Sequence, residues 1–188
     1  MQLIRRAFAA LALLAALLVA ASAAPADDGA GDLGAVATST GMLSRMMAIK
    51  TLAGLDGAGA DAGKLTLFAP SDAAFEALPA DFRKRLLAPE NRRYLIDLLQ
   101  HHAVLGEYPT ERLLNASAKH YGVDAADGTE IEFTLRREID VQGAKIMVPN
   151  LKASNGILHI IDKVLIPRSV MKALEAPAVP QLTAQVRE

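Results

Sequence analysis

The spacing of apolar residues predicts helices in the first half of the chain and strands in the second. Over residues 40–52 apolar positions recur mostly three or four residues apart, as on one face of an α-helix. A longer helix is predicted from Pro89, which suits a first helical turn, to about His102. Over residues 131–135 apolar and polar residues alternate instead, which is typical of a half-buried strand. Helices followed by strands indicate the α+β class.

A strand and a capped helix are predicted on the two sides of Pro70. Residues 65–69 are an almost continuous apolar run and predict a short buried strand that Pro70 ends. Ser71 or Asp72 is expected to cap the next helix, because their side-chain oxygens accept hydrogen bonds from N–H groups of the first turn. Phe75 is an apolar residue of that helix.

The dipeptide Asn155-Gly156 is the strongest turn signal in the sequence. It opens residues 157–166, a run of mainly branched apolar residues that predicts a central strand, and Pro167 closes that run. We therefore interpret Asn155 and Gly156 as structural residues that shape the turn into the strand.

The first 23 residues have the organisation of a secretory signal peptide. Arg5 and Arg6 precede the uncharged residues 7–21, and a small-residue A-x-A pattern predicts cleavage after Ala23. The alternative is an uncleaved anchor, but the uncharged run is shorter than the roughly 20 residues that span a bilayer. We therefore expect an exported protein, periplasmic or extracellular, with no membrane span after cleavage.

Three further segments follow the leader. Residues 24–38 are rich in Ala, Gly and Asp, lack an apolar period, and are expected to form a flexible linker. Within them residues 29–34 match G-x-G-x-x-G, but a dinucleotide site needs a strand before the glycines, so no cofactor is expected. The folded domain is predicted over residues 39–174, and residues 175–188 are expected to form a frayed tail.

Composition excludes several classes of function. With 52% hydrophobic residues the chain can build a core, so disorder of the whole chain is not expected. The absence of cysteine excludes disulfides, thiol catalysis and cysteine-based zinc sites. The 20 basic and 21 acidic residues give a net charge of −1, which lacks the basic excess of a protein that binds nucleic acid through phosphates.

Two adjacent histidines lie at the end of the longer predicted helix. His102 lies seven residues after Leu95 and four after Leu98, on the apolar face, and is interpreted as a buried histidine bonded to the backbone. His101 lies on another face and is predicted to pair with Asp97, four residues earlier. No histidines stand four residues apart on a predicted helix, so no metal site is expected.

Three segments resemble the fasciclin domain family, in the family's order. Residues 65–79, LTLFAPSDAAFEALP, resemble its first conserved box. Residues 101–106, HHAVLG, resemble its Tyr-His motif followed by Val and Gly, and residues 154–167, SNGILHIIDKVLIP, resemble its closing box. The resemblance covers roughly residues 41–167. It implies a compact α+β domain, a β-sandwich or wedge with helices packed around it.

The resemblance also implies a secreted or surface-borne module that mediates adhesion or matrix contact and has no cofactor. His101 departs from the family pattern, since it stands at the position of the Tyr, whereas His102 matches the His. In some animal members an acidic Asp-Ile motif is linked to integrin binding. Asn150 stands where that Asp would be, so we do not carry over an integrin contact.

The favoured function is an exported, non-enzymatic module that binds a surface or matrix protein or a glycan. Its contact surface is expected around the helix that bears Asp72 and Phe75 and at the end of the helix that bears His101 and His102.

Two other functions stay open. An exported hydrolase that uses a histidine with a serine or carboxylate would bring two polar side chains within about 3 Å in a pocket. A carrier of a small apolar ligand is the other, because only 4% of the residues are aromatic and an aliphatic core could enclose a cavity. A filled core would speak against the carrier.

Overall fold

The computed structural model of the chain describes residues 31–56, 63–118, 122–135 and 139–175. The predicted leader, the first part of the predicted linker and nearly all of the predicted tail lie outside these residues. No helix within them is long and apolar enough to cross a membrane.

Seven α-helices lie in the described residues, and side-chain caps fix where two of them begin. Asp32 Oδ1 accepts a hydrogen bond from Ala35 N at 2.8 Å, and Ser71 Oγ accepts one from Ala74 N at 3.2 Å. Ser71 therefore caps the helix after Pro70. The helices are α1 (Leu33–Ser39), α2 (Ser44–Leu52), α3 (Asp72–Glu76), α4 (Ala80–Leu86), α5 (Arg92–His101, after a 3-10 turn at Pro89–Asn91), α6 (Thr110–Ala118) and α7 (Arg168–Glu175).

The same part of the chain contains eight strands, which form a six-stranded mixed sheet and a two-stranded ribbon. They are β1 (Leu65–Pro70), β2 (Ala103–Leu105), β3 (Val123–Asp124), β4 (Glu130–Ile131), β5 (Phe133–Leu135), β6 (Ile139–Val141), β7 (Ala144–Ala153) and β8 (Gly156–Ile161). The sheet order is β2-β1-β8-β7-β6-β5, and β3 pairs with β4. β1 and β8 run parallel, and the other neighbouring strands are antiparallel.

The side chains of β1 and β8 alternate between two hydrophobic cores. Successive strand residues point to opposite faces of a sheet. Leu158 and Ile160 accordingly pack with the helices, whereas Ile161 packs with Phe68 in the other core. We name these the helix-side core, which also contains Leu43, Met46, Ile49, Leu95 and Leu98, and the strand-side core, which also contains Val104, Leu113, Ile131, Phe133 and Val141.

The α+β class predicted from the sequence is confirmed, with helices packed against a mixed sheet. The flexible linker is wrong for residues 33–38, which belong to α1. Leu33 and Ala37 are buried in the helix-side core and anchor that helix. The remainder of the predicted linker through residue 30 lies outside the described residues.

Two predicted element bounds also differ from the structure. The strand predicted over residues 157–166 ends at Ile161, because the chain then turns away and Leu165 N donates to His102 Nε2 at 3.0 Å instead of to a neighbouring strand. The helix predicted from residue 40 begins at Ser44.

Candidate functional site

The turn at Asn155 and Gly156 joins three elements. Asn155 Oδ1 accepts a hydrogen bond from Leu33 N at 2.8 Å and so holds the first residue of α1. Gly156 has φ +153°, and a Cβ there would overlap the carbonyl oxygen of Leu65 on β1. A side chain at residue 156 would therefore push β1 and β8 apart.

The two residues of α3 predicted to contact a partner are engaged within the fold. Asp72 Oδ1 accepts a hydrogen bond from Arg45 N at 2.7 Å, so it caps the neighbouring helix α2. Phe75 is 4% exposed and lies in the helix-side core. A direct contact of Phe75 with a partner is therefore a wrong prediction, because the ring is buried.

His102 is a buried bridge between α5 and the segment after β8. Its Nδ1 donates to Leu98 O at 2.7 Å, and its Nε2 accepts from Leu165 N at 3.0 Å. These two bonds require the neutral ring with its hydrogen on Nδ1. Burial disfavours the cation and lowers the pKa of His102 to about 4.

The buried ring of His101 bonds to a partly exposed polar cluster rather than to Asp97. Its Nδ1 lies 2.6 Å from Thr129 Oγ1 and 3.1 Å from Asp127 Oδ2. Its Nε2 lies 3.1 Å from Gln142 Oε1. The predicted pairing with Asp97 is wrong because the ring turns toward the β3–β4 turn and the β6–β7 turn.

The partners of His101 are themselves bonded to one another and to the backbone. Thr129 Oγ1 donates to Asp127 Oδ1 at 2.6 Å, and Gln142 Nε2 donates to Glu130 O at 3.1 Å. The cluster therefore presents acceptors to both ring nitrogens. With His101 2% exposed and His102 1% exposed, neither can contact a partner directly, which corrects that prediction too.

A third histidine, His159 on β8, has a structural role that the sequence pattern did not reveal. Its Nε2 donates to Tyr108 O at 2.9 Å, and its Nδ1 accepts from Asn150 N at 3.3 Å. Its ring stacks on Phe68, with centroids 5.4 Å apart. Burial lowers the pKa of His159. Asn150, at φ +58°, also accepts from Thr110 N at 2.9 Å and so ties β7 to α6.

The described residues do not bring together a hydrolytic relay. Such a relay needs a carboxylate on one histidine nitrogen and a hydroxyl nucleophile on the other. At His101 both Asp127 and Thr129 face Nδ1, while Gln142 faces Nε2. Nor do the described residues contain a group of three or more His, Asp or Glu residues that could hold a metal ion.

Within the described residues, two concave surfaces open to solvent bear on function. The first, which we name the apolar groove, has a volume of about 450 Å³ and is lined by α1, α2, α5, β1 and β2 through Leu33, Met46, Met47, Leu67, Leu99 and Leu105. Lys50, Asp32 and Asp56 also line it. No sequence signal pointed to this groove, because one of its walls is the helix that was predicted to be a linker.

The second surface, which we name the charged cleft, has a volume of about 770 Å³ and is lined by Lys64, Glu107, Glu111, Arg112, Asn150 and Lys152. Lys64 pairs with Glu107 at 3.4 Å. The Arg112 guanidinium lies 4.2 Å from the centroid of the Tyr108 ring. Charges of both signs thus line one concavity.

Comparison with known proteins identifies the fold and the family. The profile of the family described as "Fasciclin domain" matches residues 39–167. The chain belongs to the fasciclin domain family. The fasciclin motifs at residues 65–79, 101–106 and 154–167 correspond to β1 with α3, to the turn from α5 into β2, and to β8 with the segment after it.

Relatives of this fasciclin domain occur in bacteria and animals. It is 32% identical over 143 residues to "Protein sll1483" of Synechocystis sp., covering 76% of this chain and 77% of that protein. It is 30% identical to "Cell surface glycolipoprotein MPB83" of Mycobacterium bovis, covering 56% and 44%. It is 29% identical to human periostin, covering 64% of this chain and 14% of periostin.

A solved structure shares the fold. The FAS1 domain pair from the insect cell adhesion molecule Fasciclin I matches with a TM-score of 0.65 at 17% identity, over 74% of this chain and 52% of that one. The present domain thus spans about half of that structure and smaller parts of the longest relatives.

Proposed function

We propose that this fasciclin domain is exported and acts as an adhesion module that binds a protein or a glycan at a cell surface or in a matrix. The signal-peptide pattern of residues 1–23 supports export. Family membership supports adhesion, since relatives are described as a cell surface glycolipoprotein and as a cell adhesion molecule.

The observation that carries a binding role is the placement of the histidines. His101, His102 and His159 are buried and bonded to groups of the chain itself, so they serve the fold rather than a substrate. A partner can therefore form polar contacts only with exposed groups, and the charged cleft contains several exposed charged side chains. We therefore assign partner contact to this cleft in place of the buried residues predicted from the sequence.

The test is a pull-down from envelope fractions and a glycan array with the mature domain and two paired variants. Glu111→Ala/Lys152→Ala removes two exposed charges of the cleft, whose side chains have no partner among the described residues. Lys84→Ala/Glu90→Ala removes one charge of each sign from an exposed surface elsewhere. We expect at least tenfold weaker partner binding for the cleft pair only, with both variants as stable as the parent.

Two results would contradict the proposal. One is the absence of any captured protein or glycan together with unchanged adhesion of cells that lack the gene. The other is an equal loss of binding for both paired variants. Fractionation of the tagged full-length chain checks export separately.

A second candidate function, carriage of a small apolar molecule, is favoured by the apolar groove. Its volume of about 450 Å³ lies in the range of about 300–1,000 Å³ that small-molecule pockets occupy. The carrier predicted from the sequence would hold its ligand in a cavity enclosed by the core, whereas this groove lies beside the core and is open to solvent.

A further inference from the structure

Helix α1 is held to the rest of the domain by a small set of interactions. Among its seven residues only Leu33 and Ala37 are buried. Within the described residues two hydrogen bonds join α1 and the residues before it to the body: Asn155 Oδ1 accepts from Leu33 N at 2.8 Å, and Gly31 O accepts from Ser154 N at 3.1 Å. A helix of this length is not stable alone in water. Opening of α1 therefore costs less free energy than opening of the core.

The connection from α1 to α2 contains a residue suited to act as a hinge. Gly41 has φ +65°, and a Cβ at this position would have no neighbouring atom within 4 Å. Glycine changes its backbone angles at little steric cost. Immediately after it the chain is fixed, because Met42 O accepts from Asp72 N at 2.8 Å and Leu43 is buried. Rotation about Gly41 would thus displace α1 and leave α2 in place.

Helix α1 is also one wall of the apolar groove. Leu33 and Ala37 line the groove from this wall, and Leu67 on β1 and Leu99 on α5 line it from the body of the domain. Leu33 and Ala37 belong to the helix-side core as well. When α1 opens, the space that these two side chains fill becomes continuous with the groove.

We propose that α1 is a lid that is hinged at Gly41, latched by Asn155, and opens to admit an apolar ligand to the groove. The sheet stays intact during this opening, because the bonds that break end at Ser154 and the Asn155 side chain and not in the pairing of β1 with β8. This inference rests on the second candidate function, carriage of an apolar molecule, and states how the ligand reaches that site.

Opening is tested with single cysteines, because the chain has none of its own. Ala37→Cys places a thiol under the lid and Ala69→Cys places one on β1, and both alanines are buried in the helix-side core. With excess N-ethylmaleimide at pH 7.5, the thiol at residue 37 is expected to react at least tenfold faster than the thiol at residue 69. Equal rates would mean that α1 opens only when the whole domain unfolds, and would overturn the proposal.

Two further measurements guard against an effect of the cysteines themselves. Urea denaturation checks that both cysteine variants fold as stably as the parent. In the unaltered chain, hydrogen exchange is expected to be at least tenfold faster for the hydrogen-bonded amides of α1 than for those of β8. Equal protection of α1 and β8 would contradict local opening.

The latch is tested by adding Asn155→Ala to each cysteine variant. Loss of the bond to α1 is expected to raise the labelling rate at residue 37 at least fivefold and to leave the rate at residue 69 unchanged. Asn91→Ala, which removes a side-chain hydrogen bond near the start of α5, is the matched control and should change neither rate. An equal rise at residues 37 and 69 would mean that Asn155 stabilises the whole domain and is not a latch.

Access to the groove is tested with Nile red, an uncharged apolar dye whose fluorescence rises in apolar surroundings. In stopped-flow mixing, Asn155→Ala is expected to raise the association rate of the dye at least threefold, and Asn91→Ala is expected to leave it unchanged. Leu105→Asp in the groove should abolish binding, whereas Leu87→Asp, exposed at the end of α4, should not.

The outcomes separate this inference from the function on which it rests. If the dye binds in the groove and Asn155→Ala leaves its association rate unchanged, carriage stands and control of access by α1 is wrong. If the dye does not bind, or if Leu105→Asp leaves binding unchanged, the carrier function falls and the role of α1 in access falls with it. The labelling rates decide independently whether α1 opens by itself.

Discussion

The two cores of this fasciclin domain differ in how their packing is fixed. The strand-side core is crossed by directional bonds: His159 stacks on Phe68 and reaches Tyr108 O, and His102 holds the backbone of Leu165. The helix-side core is built mainly from aliphatic side chains, with Met46 and Phe75 among them, and the apolar groove opens beside it. Satisfied hydrogen bonds are directional and specify one arrangement of a core. Contacts between aliphatic side chains are not directional, so they constrain the arrangement less.

The largest effect is expected from Phe68→Ala in the strand-side core. Phe68 is fully buried and packs against His159 and Phe133, with centroid distances of 5.4 and 5.8 Å. Its removal leaves a cavity and should lower the free energy of unfolding by about 3–5 kcal/mol. Urea denaturation measures this loss. A loss of unfolding free energy below about 1 kcal/mol would mean that neighbouring side chains fill the cavity, and would contradict the idea that directional bonds fix this core.

The next effect is acid destabilisation through the buried histidines. Burial lowers the pKa of His102 to about 4 and also lowers the pKa of His159. Below pH 6.5 the unfolded chain binds protons that these folded-state rings do not bind, so stability present above pH 6.5 is lost as the pH falls toward 4. For His102 alone this loss is about 3 kcal/mol. Urea denaturation at pH 7.5, 5.5 and 4 measures it.

His102→Ala separates this titration from that of the carboxylates. At pH 7.5 the variant should be less stable by about 1–3 kcal/mol, because Leu98 O and Leu165 N lose their partner. Its stability should then fall less steeply between pH 6.5 and 4 than that of the parent. An equally steep fall would assign the acid sensitivity to other groups.

The smallest effect is expected from Met47→Ala in the wall of the groove. Met47 is only partly buried and already borders an open space, so its truncation creates little new cavity. The expected loss is below about 1 kcal/mol by urea denaturation. A loss comparable to that of Phe68→Ala would contradict the difference between the two cores.

Local patterns in the sequence predicted the strands and the buried place of His102. Alternation indicated strand residues over 131–135, although the structure divides them at Glu132 between β4 and β5, which lie in different sheets. Seven-residue spacing from Leu95 placed His102 on the buried face of α5. These features depend on residues that are close in the sequence, within about two helical turns or one strand. A pattern of apolar positions records such neighbours directly.

Features that depend on distant partners could not be predicted. Helix α1 is stabilised by Asn155, which bonds to Leu33 N from more than a hundred residues away, so its Ala- and Gly-rich sequence looked like a linker. His101 has an acidic residue one turn earlier, yet its partners come from two turns 26 to 41 residues later in the chain. The apolar groove shares this origin, because its walls come from separate elements.

The parallel pairing of β1 with β8 constrains when this domain can fold. Leu65 pairs with Gly156, so the middle of the sheet joins two segments from opposite ends of the domain. During synthesis β1 must wait for almost all of the domain to emerge before its parallel neighbour exists, and contacts of such long sequence separation form slowly. A nascent chain that still lacks β8 therefore leaves β1 without its parallel neighbour, whatever other elements have already formed.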